Sequence, residues 1–319
     1  MFSAQGYDAL RHGLAVVRRT DRGVLRLTGT DRATWLQGLV TNDVLAVSPG
    51  QRVYSAYLTP QGRMLTDMWV VATDDALLLD VPAPLAVSLA ERLNGLIFSE
   101  DSQVSDVSAQ MPCTYVMGAG ARLDNLRAPV LPGSGVLVKD VEFCVPVLAA
   151  YGPLDALLAA NGLEALQSAE DVELDTLEVL RVEAGVPRFL VDMTEETIPL
   201  EAVIEDRAIS FTKGCYVGQE IIVRVTTRGG GRVARRLVGL KLEGGDNQPS
   251  PARMAPIQSG DRPIGQVTSA VWSPALSAHV ALGYVHRDFV EPGTAVQVMA
   301  QGSPVHAVVT ALPFVPPGS

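Results

Sequence analysis

Lys213-Gly214-Cys215-Tyr216-Val217-Gly218-Gln219-Glu220 puts a thiol between two glycines, with a cation two residues upstream and an amide and a carboxylate downstream. Gly214 and Gly218 permit positive φ or the close approach of another group. Residues 206–211 ahead of it read as a short extended run. Residues 220–225 after it read as a short helix or a strand, because Ile, Val and Thr leave that choice open. A helix starting near Gly218 would bring Cys215 close to its N-terminus, where backbone N–H groups and the Lys213 charge favour thiolate. A packed cysteine in a glycine turn is the plainer alternative. Both readings stand on spacing alone.

Downstream of residues 232–236 the rhythm changes. Residues 237–242, 254–258, 264–271, 280–286, 295–299 and 305–312 form six short apolar runs separated by Gly and Pro turns, with no helical pattern between them. That pattern predicts a small closed or nearly closed β-barrel and a boundary near residue 232.

Upstream, residues 24–27 read as a strand. Thr30 or Asp31 caps a helix in which Trp35, Leu36 and Leu39 share a face. Residues 53–59, 64–72 and 76–81 read as antiparallel neighbours joined by turns. Pro84 opens a helix with a stripe of Leu85, Leu89, Leu93 and Leu96. Residues 99–108 are polar, a loop or an edge. Residues 113–118 and 136–147 read as further strands, broken by the turn-rich run 129–135. Pro153 begins another helix that ends at Gly162. A longer helix from about Asp171 carries Leu174, Leu177, Leu180 and Ala184 on one face and stops at Gly185 and Pro187. The fold class is α+β, with helices on one face of mostly antiparallel sheets, followed by the six-stranded barrel. The expected domains are 1–231, in two parts of about 1–110 and 111–231, and 232–319.

The 319 residues are 47% hydrophobic, enough for two or three packed units. A net charge of −10 argues against general nucleic-acid or anionic-membrane binding. Gln5, Asp8 and Arg11 interrupt any signal-peptide core, and no apolar stretch approaches the ~18 residues of a membrane span. A cytoplasmic protein is expected. Cys113, Cys144 and Cys215 are far apart and odd in number, so they form no disulfide framework. The four histidines have no metal-ligand spacing. Against the acidic average, Lys213, Arg224, Arg228, Arg232, Arg235, Arg236 and Lys241 share a window with one acid, Glu220. Two readings of that window remain open, an anionic partner and a solvated linker with a strand edge.

The eight-residue stretch resembles the K-G-C-Y-x-G-Q-E signature of YgfZ-type folate-binding proteins, relatives of the glycine-cleavage T-protein (aminomethyltransferase). Other pieces occur in the same order: Leu27-Thr28-Gly29-Thr30-Asp31-Arg32 to Gly38, Thr41-Asn42-Asp43, Leu58-Thr59-Pro60-Gln61-Gly62-Arg63, Arg181-Val182-Glu183-Ala184-Gly185-Val186-Pro187 and Pro199-Leu200-Glu201-Ala202. The resemblance implies tetrahydrofolate or a one-carbon derivative as cofactor, lying in a central hole of the α+β part. It implies support of iron–sulfur cluster assembly or repair, including that of tRNA-modifying iron–sulfur enzymes. Implied partners are iron–sulfur assembly proteins or client enzymes, with no membrane and no direct nucleic-acid contact.

Cofactor-binding positions implied by the resemblance are Glu183, Thr66, Asp67, Tyr57 and Arg228; Cys215 and Lys213 are the implied catalytic pair. Glu183 matches a glutamate that bonds the pteridine-like ring, and a carboxylate can accept two parallel N–H bonds from an aminopyrimidine edge. The structural alternative for Glu183 is a salt bridge at a helix C-terminus, where its charge is otherwise unfavourable. T-proteins carry two adjacent acids where this chain has Thr66 and Asp67, and the first is their catalytic carboxylate. Threonine cannot act as a carboxylate base, and neighbours on a strand face opposite sides. A tetrahydrofolate-dependent aminomethyl or methyl transferase is therefore the second reading.

Overall fold

The computed structural model describes residues 1–119, 130–131, 135–163, 166–167, 169–228, 230–245 and 249–317. In chain order the first elements are α1 (Ala4–Arg11), β1 (Ala15–Arg18), β2 (Arg22–Thr28), α2 (Arg32–Gln37), β3 (Arg52–Leu58), β4 (Met64–Ala72), β5 (Leu77–Pro82), α3 (Ala86–Asn94) and β6 (Gln103–Asp106). Then come β7 (Cys113–Met117), β8 (Val130–Leu131), β9 (Gly135–Glu142), β10 (Val145–Tyr151), α4 (Leu154–Ala159), β11 (Glu170–Asp171), α5 (Leu174–Glu183), α6 (Glu205–Ala208) and α7 (Gln219–Val223). The last strands are β12 (Arg235–Leu242), β13 (Pro256–Ser259), β14 (Arg262–Ser273), β15 (Ala278–His286), β16 (Ala295–Ala300) and β17 (Ser303–Thr310).

Two compact units result, residues 1–177 with 206–219, and residues 178–205 with 220–319. The first unit holds two sheets, ordered β3-β4-β5-β2-β6 and β11-β1-β7-β10-β9-β8. Strand alternation gives each sheet two chemically different faces. In the first sheet Leu25, Leu27, Tyr57, Met68, Val70, Leu79 and Val81 pack against Leu36, Leu89 and Leu93 of α2 and α3. In the second, Val116, Leu137 and Leu148 pack against Leu157 and Leu158 of α4. The opposite faces meet through arginines, carboxylates and tyrosines. The architecture is α+β, as the residue pattern predicts.

In the second unit β12-β15-β14-β13-β16-β17 close into a barrel. All six expected strands are present. Val238, Leu240, Ile257, Val267, Val285 and Val298 fill its core, the alternate residues of strands wrapped around a small interior.

Local expectations fail where tertiary contacts override propensity. Residues 206–211 are not extended, for Glu205–Ala208 is a helical turn. Residues 220–225 are helical, α7 running into a π-helical turn at Arg224–Arg228. Asp31 occupies the N-cap position of α2 without capping it; its carboxylate accepts instead from the Asp101 backbone N–H at 2.8 Å. Leu96 lies beyond the end of α3 and is exposed. The run 136–147 spans a hairpin, β9 and β10, turned at Phe143 and Cys144 with φ of 53° and 63°. Of the turn-rich run 129–135, most lies outside the described residues.

Candidate functional site

The signature loop is held at both ends within the first unit. The Lys213 ammonium donates to the carbonyls of Gln37, Val40 and Asn42 at 2.7, 2.7 and 2.8 Å. Those carbonyls belong to the C-terminal end of α2 and the residues just after it, where negative partial charge collects. Burial draws the Lys213 pKa from 10.5 down to about 8, opposed by Asp43, so at neutral pH the clamp is the charged form. At the other end the Val217 N–H donates to Gly38 O at 3.2 Å. Between these ties the Cys215 thiol is exposed.

The two glycines differ. Gly218 has φ +84°, and a Cβ there would stand 2.6 Å from Thr59 O, 3.2 Å from Leu58 Cβ and 3.3 Å from Gly62 Cα. Gly214 has nothing within 4 Å of that position and no left-handed φ. Only Gly218 is required by geometry.

Asn42 donates to the Tyr54 and Arg207 carbonyls, both at 2.9 Å, and the Thr41 hydroxyl donates to Ala208 O at 2.6 Å. Thr41-Asn42-Asp43, the 58–63 turn and the 213–220 loop therefore interlock in one unit.

Thr66 and Asp67 point to opposite faces of β4, as alternation requires. Thr66 is 1% exposed, and its hydroxyl donates to Asp67 O at 3.0 Å. Tyr57, its cross-strand partner, sits in the apolar core beside α3. Asp67 lies on the inter-sheet face. Its carboxylate accepts from Tyr54 OH at 2.8 Å and pairs with Arg22 at 3.3 Å.

Arg22 also binds Asp80 at 2.5 Å, and Tyr151 OH donates to Asp80 at 2.9 Å. Arg52 completes this buried network with Asp140 at 2.7 Å, Glu142 at 2.8 Å and the hydroxyls of Tyr115 and Tyr151 at 3.0 and 3.3 Å. Arg207 lies over the Tyr54 ring at 4.0 Å. Sequence reasoning missed the network. A signal existed in the polar residues Arg52, Tyr54, Asp67 and Asp80, which alternate with apolar ones on strands of the same sheet.

Glu183 lies in the second unit, fully buried, with Oε1 accepting from the Ser273 hydroxyl at 2.5 Å. Its backbone carbonyl accepts from the Phe314 N–H at 2.8 Å. Arg181 of the same motif binds Asp192 at 2.7 Å, Ser269 at 2.7 Å and Glu178 at 2.5 Å. Gly185, with φ +70°, lets Leu312 pack where a Cβ would meet it at 2.8 Å. Arg228 closes the π-helical turn, and its side chain lies outside the described residues. Of the basic window, Lys213 is clamped on carbonyls, Arg235 pairs with Glu201 and Arg236 with Glu205, each at 3.2 Å. Among the described residues no cluster of His, Cys, Asp or Glu suits a metal ion. Among them, too, no helix is long and apolar enough to cross a membrane.

Two mostly antiparallel sheets with outer helices, a closed six-stranded barrel and the interlocked loop motifs define a T-protein-like fold. Residues 2–126 match the family described as GCVT N-terminal domain, and residues 235–316 match the glycine cleavage T-protein C-terminal barrel domain. An aminomethyltransferase of Synechococcus sp. (strain RCC307) is 30% identical over 97% of this chain and 89% of its own length. A mitochondrial iron-sulfur cluster assembly factor IBA57 homolog of Neosartorya fischeri is 28% identical over 83% of this chain and 63% of its own. The crystal structure of glycine cleavage system aminomethyltransferase T from Bartonella henselae superposes with TM-score 0.84 at 20% identity, covering 98% of this chain and 89% of that one. The chain belongs to the glycine-cleavage T-protein (aminomethyltransferase) superfamily.

Proposed function

We propose that this chain is a tetrahydrofolate-binding protein of the YgfZ type that supports iron–sulfur cluster assembly or repair in the cytoplasm, including that of tRNA-modifying iron–sulfur enzymes. The observation that carries the reading is the exposed Cys215 thiol on a loop fixed at Lys213 and Gly218. The similarity to a protein named as an iron–sulfur cluster assembly factor homolog agrees with it. In this reading residues 1–231 form the folate-binding region and 232–319 the barrel.

Glu183 receives the aminopyrimidine edge of the folate. Its carboxylate is the acceptor chemistry that edge requires. The resemblance also carries Thr66, Asp67, Tyr57 and Arg228 as cofactor positions; of these Asp67 lies on the inter-sheet face, whereas Thr66 and Tyr57 are buried on the opposite face of the sheet and would act only by supporting it. The folate supplies one-carbon carrier chemistry when bound. Lys213 holds the loop that presents Cys215 to iron–sulfur assembly proteins or client enzymes. One thiol cannot hold a stable cluster by itself, since such clusters usually take four protein ligands, so no permanently bound cluster belongs to this reading.

The second reading is a tetrahydrofolate-dependent aminomethyl or methyl transferase. Relatives named aminomethyltransferase favour it. Thr66 counts against it, because it offers no carboxylate at the position of the family base, and Asp67 is engaged by Tyr54 and Arg22.

Titration with tetrahydrofolate tests both. Wild type is expected to bind, Glu183→Ala to lose about 1.5–3 kcal/mol, and Cys215→Ala to bind as wild type does. Absence of binding at millimolar ligand rejects both readings. Binding accompanied by turnover of a lipoyl-bound aminomethyl donor selects the transferase.

A further inference from the structure

A cavity of about 670 Å³ opens in the first unit between the β1–β2 turn, the start of α3, the end of β6 and the chain entering α4. It contains none of the folate positions or the thiol loop, and its argument is independent of the folate reading. Ala86, Val87 and Leu154 supply apolar wall. Val87 is 63% exposed, so its side chain stands open to whatever enters. Concave sites with apolar walls and a few polar groups are where small molecules bind.

Five charged residues line the cavity, and their pairing is one-sided. Each arginine has a carboxylate of its own: Arg18 pairs with Asp171, Arg19 with Asp21, and Arg22 with Asp80 and Asp67. The two acids, Asp106 and Asp155, are exposed and have no cationic partner among the described residues. Asp106 accepts through Oδ1 from the Ser108 N–H at 2.9 Å and the Ser108 hydroxyl at 2.5 Å. Asp155 accepts through Oδ1 from Gln167 Nε2 at 3.4 Å. Neither Oδ2 has a donor among the described residues, and both side chains are open to solvent, so a ligand can reach them. Unpaired acids beside low-dielectric walls focus a negative potential into a cleft and favour a cation there. A primary ammonium fits best, because it brings three N–H donors to oxygens that take charge-assisted bonds. A quaternary ammonium brings none, and an anion would face both acids.

We propose that this cavity binds a small primary amine in its ammonium form, with its apolar body against Ala86, Val87 and Leu154 and its charge answered by the Asp106 and Asp155 carboxylates.

The test is fluorine NMR titration of the full chain at neutral pH with 4-fluorobenzylamine, beside its neutral counterpart 4-fluorobenzyl alcohol. A probe of this size is expected to bind at low-millimolar concentration or tighter. The alcohol should bind roughly tenfold or more weakly, the loss of a charge-assisted bond. Asp106→Asn with Asp155→Asn in one chain removes both charges but keeps shape and an acceptor for Ser108. It should weaken the amine roughly tenfold and leave the alcohol unchanged. Val87→Trp keeps every charge and fills the space from an exposed helix position. It should weaken the amine by a similar factor, which a general attraction of cations to an acidic chain of net charge −10 would not produce. Thermal unfolding checks that both variants are folded. The proposal fails if 4-fluorobenzylamine shows no saturable binding, if the alcohol binds equally well, or if either folded variant binds the amine as wild type does.

Discussion

Arg52→Met is expected to destabilise the first unit by about 3–5 kcal/mol, because it removes one partner from a buried charge network. The Arg52 side chain is 1% exposed and lies 3.9 Å from the Trp69 ring centre. Its guanidinium answers Asp140, Glu142 and two tyrosine hydroxyls at once. Methionine fills similar volume but leaves Glu142, itself 8% exposed, without its strongest counter-charge. Arg52→Lys should recover only part of the loss, since an ammonium cannot reproduce a planar fork with several acceptors. Urea unfolding followed by tryptophan fluorescence measures this, with Trp69 as an internal reporter. A loss below about 1 kcal/mol would mean that the two sheets do not depend on the network.

The same network gives the acid response a sign. Burial by itself would raise the Glu142 pKa; Arg52, then Arg19 and Arg207, and the Tyr115 hydroxyl outweigh it and hold the group below 4.5. A carboxyl whose folded pKa is depressed contributes stability that is complete above the unfolded value and lost as pH falls through the folded one. Wild-type stability should thus begin to fall below about pH 4.5. In Arg52→Met the burial effect dominates, Glu142 takes up a proton at higher pH, and acid unfolding should begin earlier.

The barrel was legible because Gly and Pro turns cut its sequence into runs of strand length, and closing such runs leaves no open edge. The α+β layering was legible from Leu89 and Leu93 on one helix face and from strands whose apolar residues alternate. Residues 206–211 were not legible. Their carbonyls are taken by Thr41 and Asn42, more than 160 residues away in sequence, and no local pattern announces such a partner. The same distance hid the role of Lys213. Beside a cysteine it reads as an activating charge, yet its ammonium rests on three carbonyls at the end of α2. The network of Arg22, Arg52, Tyr54, Asp67, Asp80, Tyr115, Glu142 and Tyr151 was hidden for another reason. A polar strand face normally signals solvent, and nothing in one strand tells that a second polar face covers it.

Gly218→Ala and Gly214→Ala separate geometry from mere glycine content in the signature loop. At Gly218 alanine must hold φ near +84° and bring its Cβ within 2.6 Å of Thr59 O. That oxygen already accepts from the Gly62 N–H at 2.9 Å, so the turn cannot yield without losing its own bond. The left-handed strain and the backbone clash together should cost about 2–4 kcal/mol, relieved in part by the loop moving away. Cys215 then loses its fixed presentation between Lys213 and Val217, and its reaction rate with a small aromatic disulfide should change several-fold. Gly214→Ala meets no neighbour and needs no unusual backbone, so it should be neutral or stabilising by about 0.4–1 kcal/mol through the unfolded chain, with the thiol rate unchanged. Thermal unfolding and thiol kinetics on the same two variants decide the matter. Equal behaviour of the two would show that contact with the 58–63 turn does not position the thiol. The predicted contrast would assign Gly218 the task of holding the exposed sulfur where a partner can reach it.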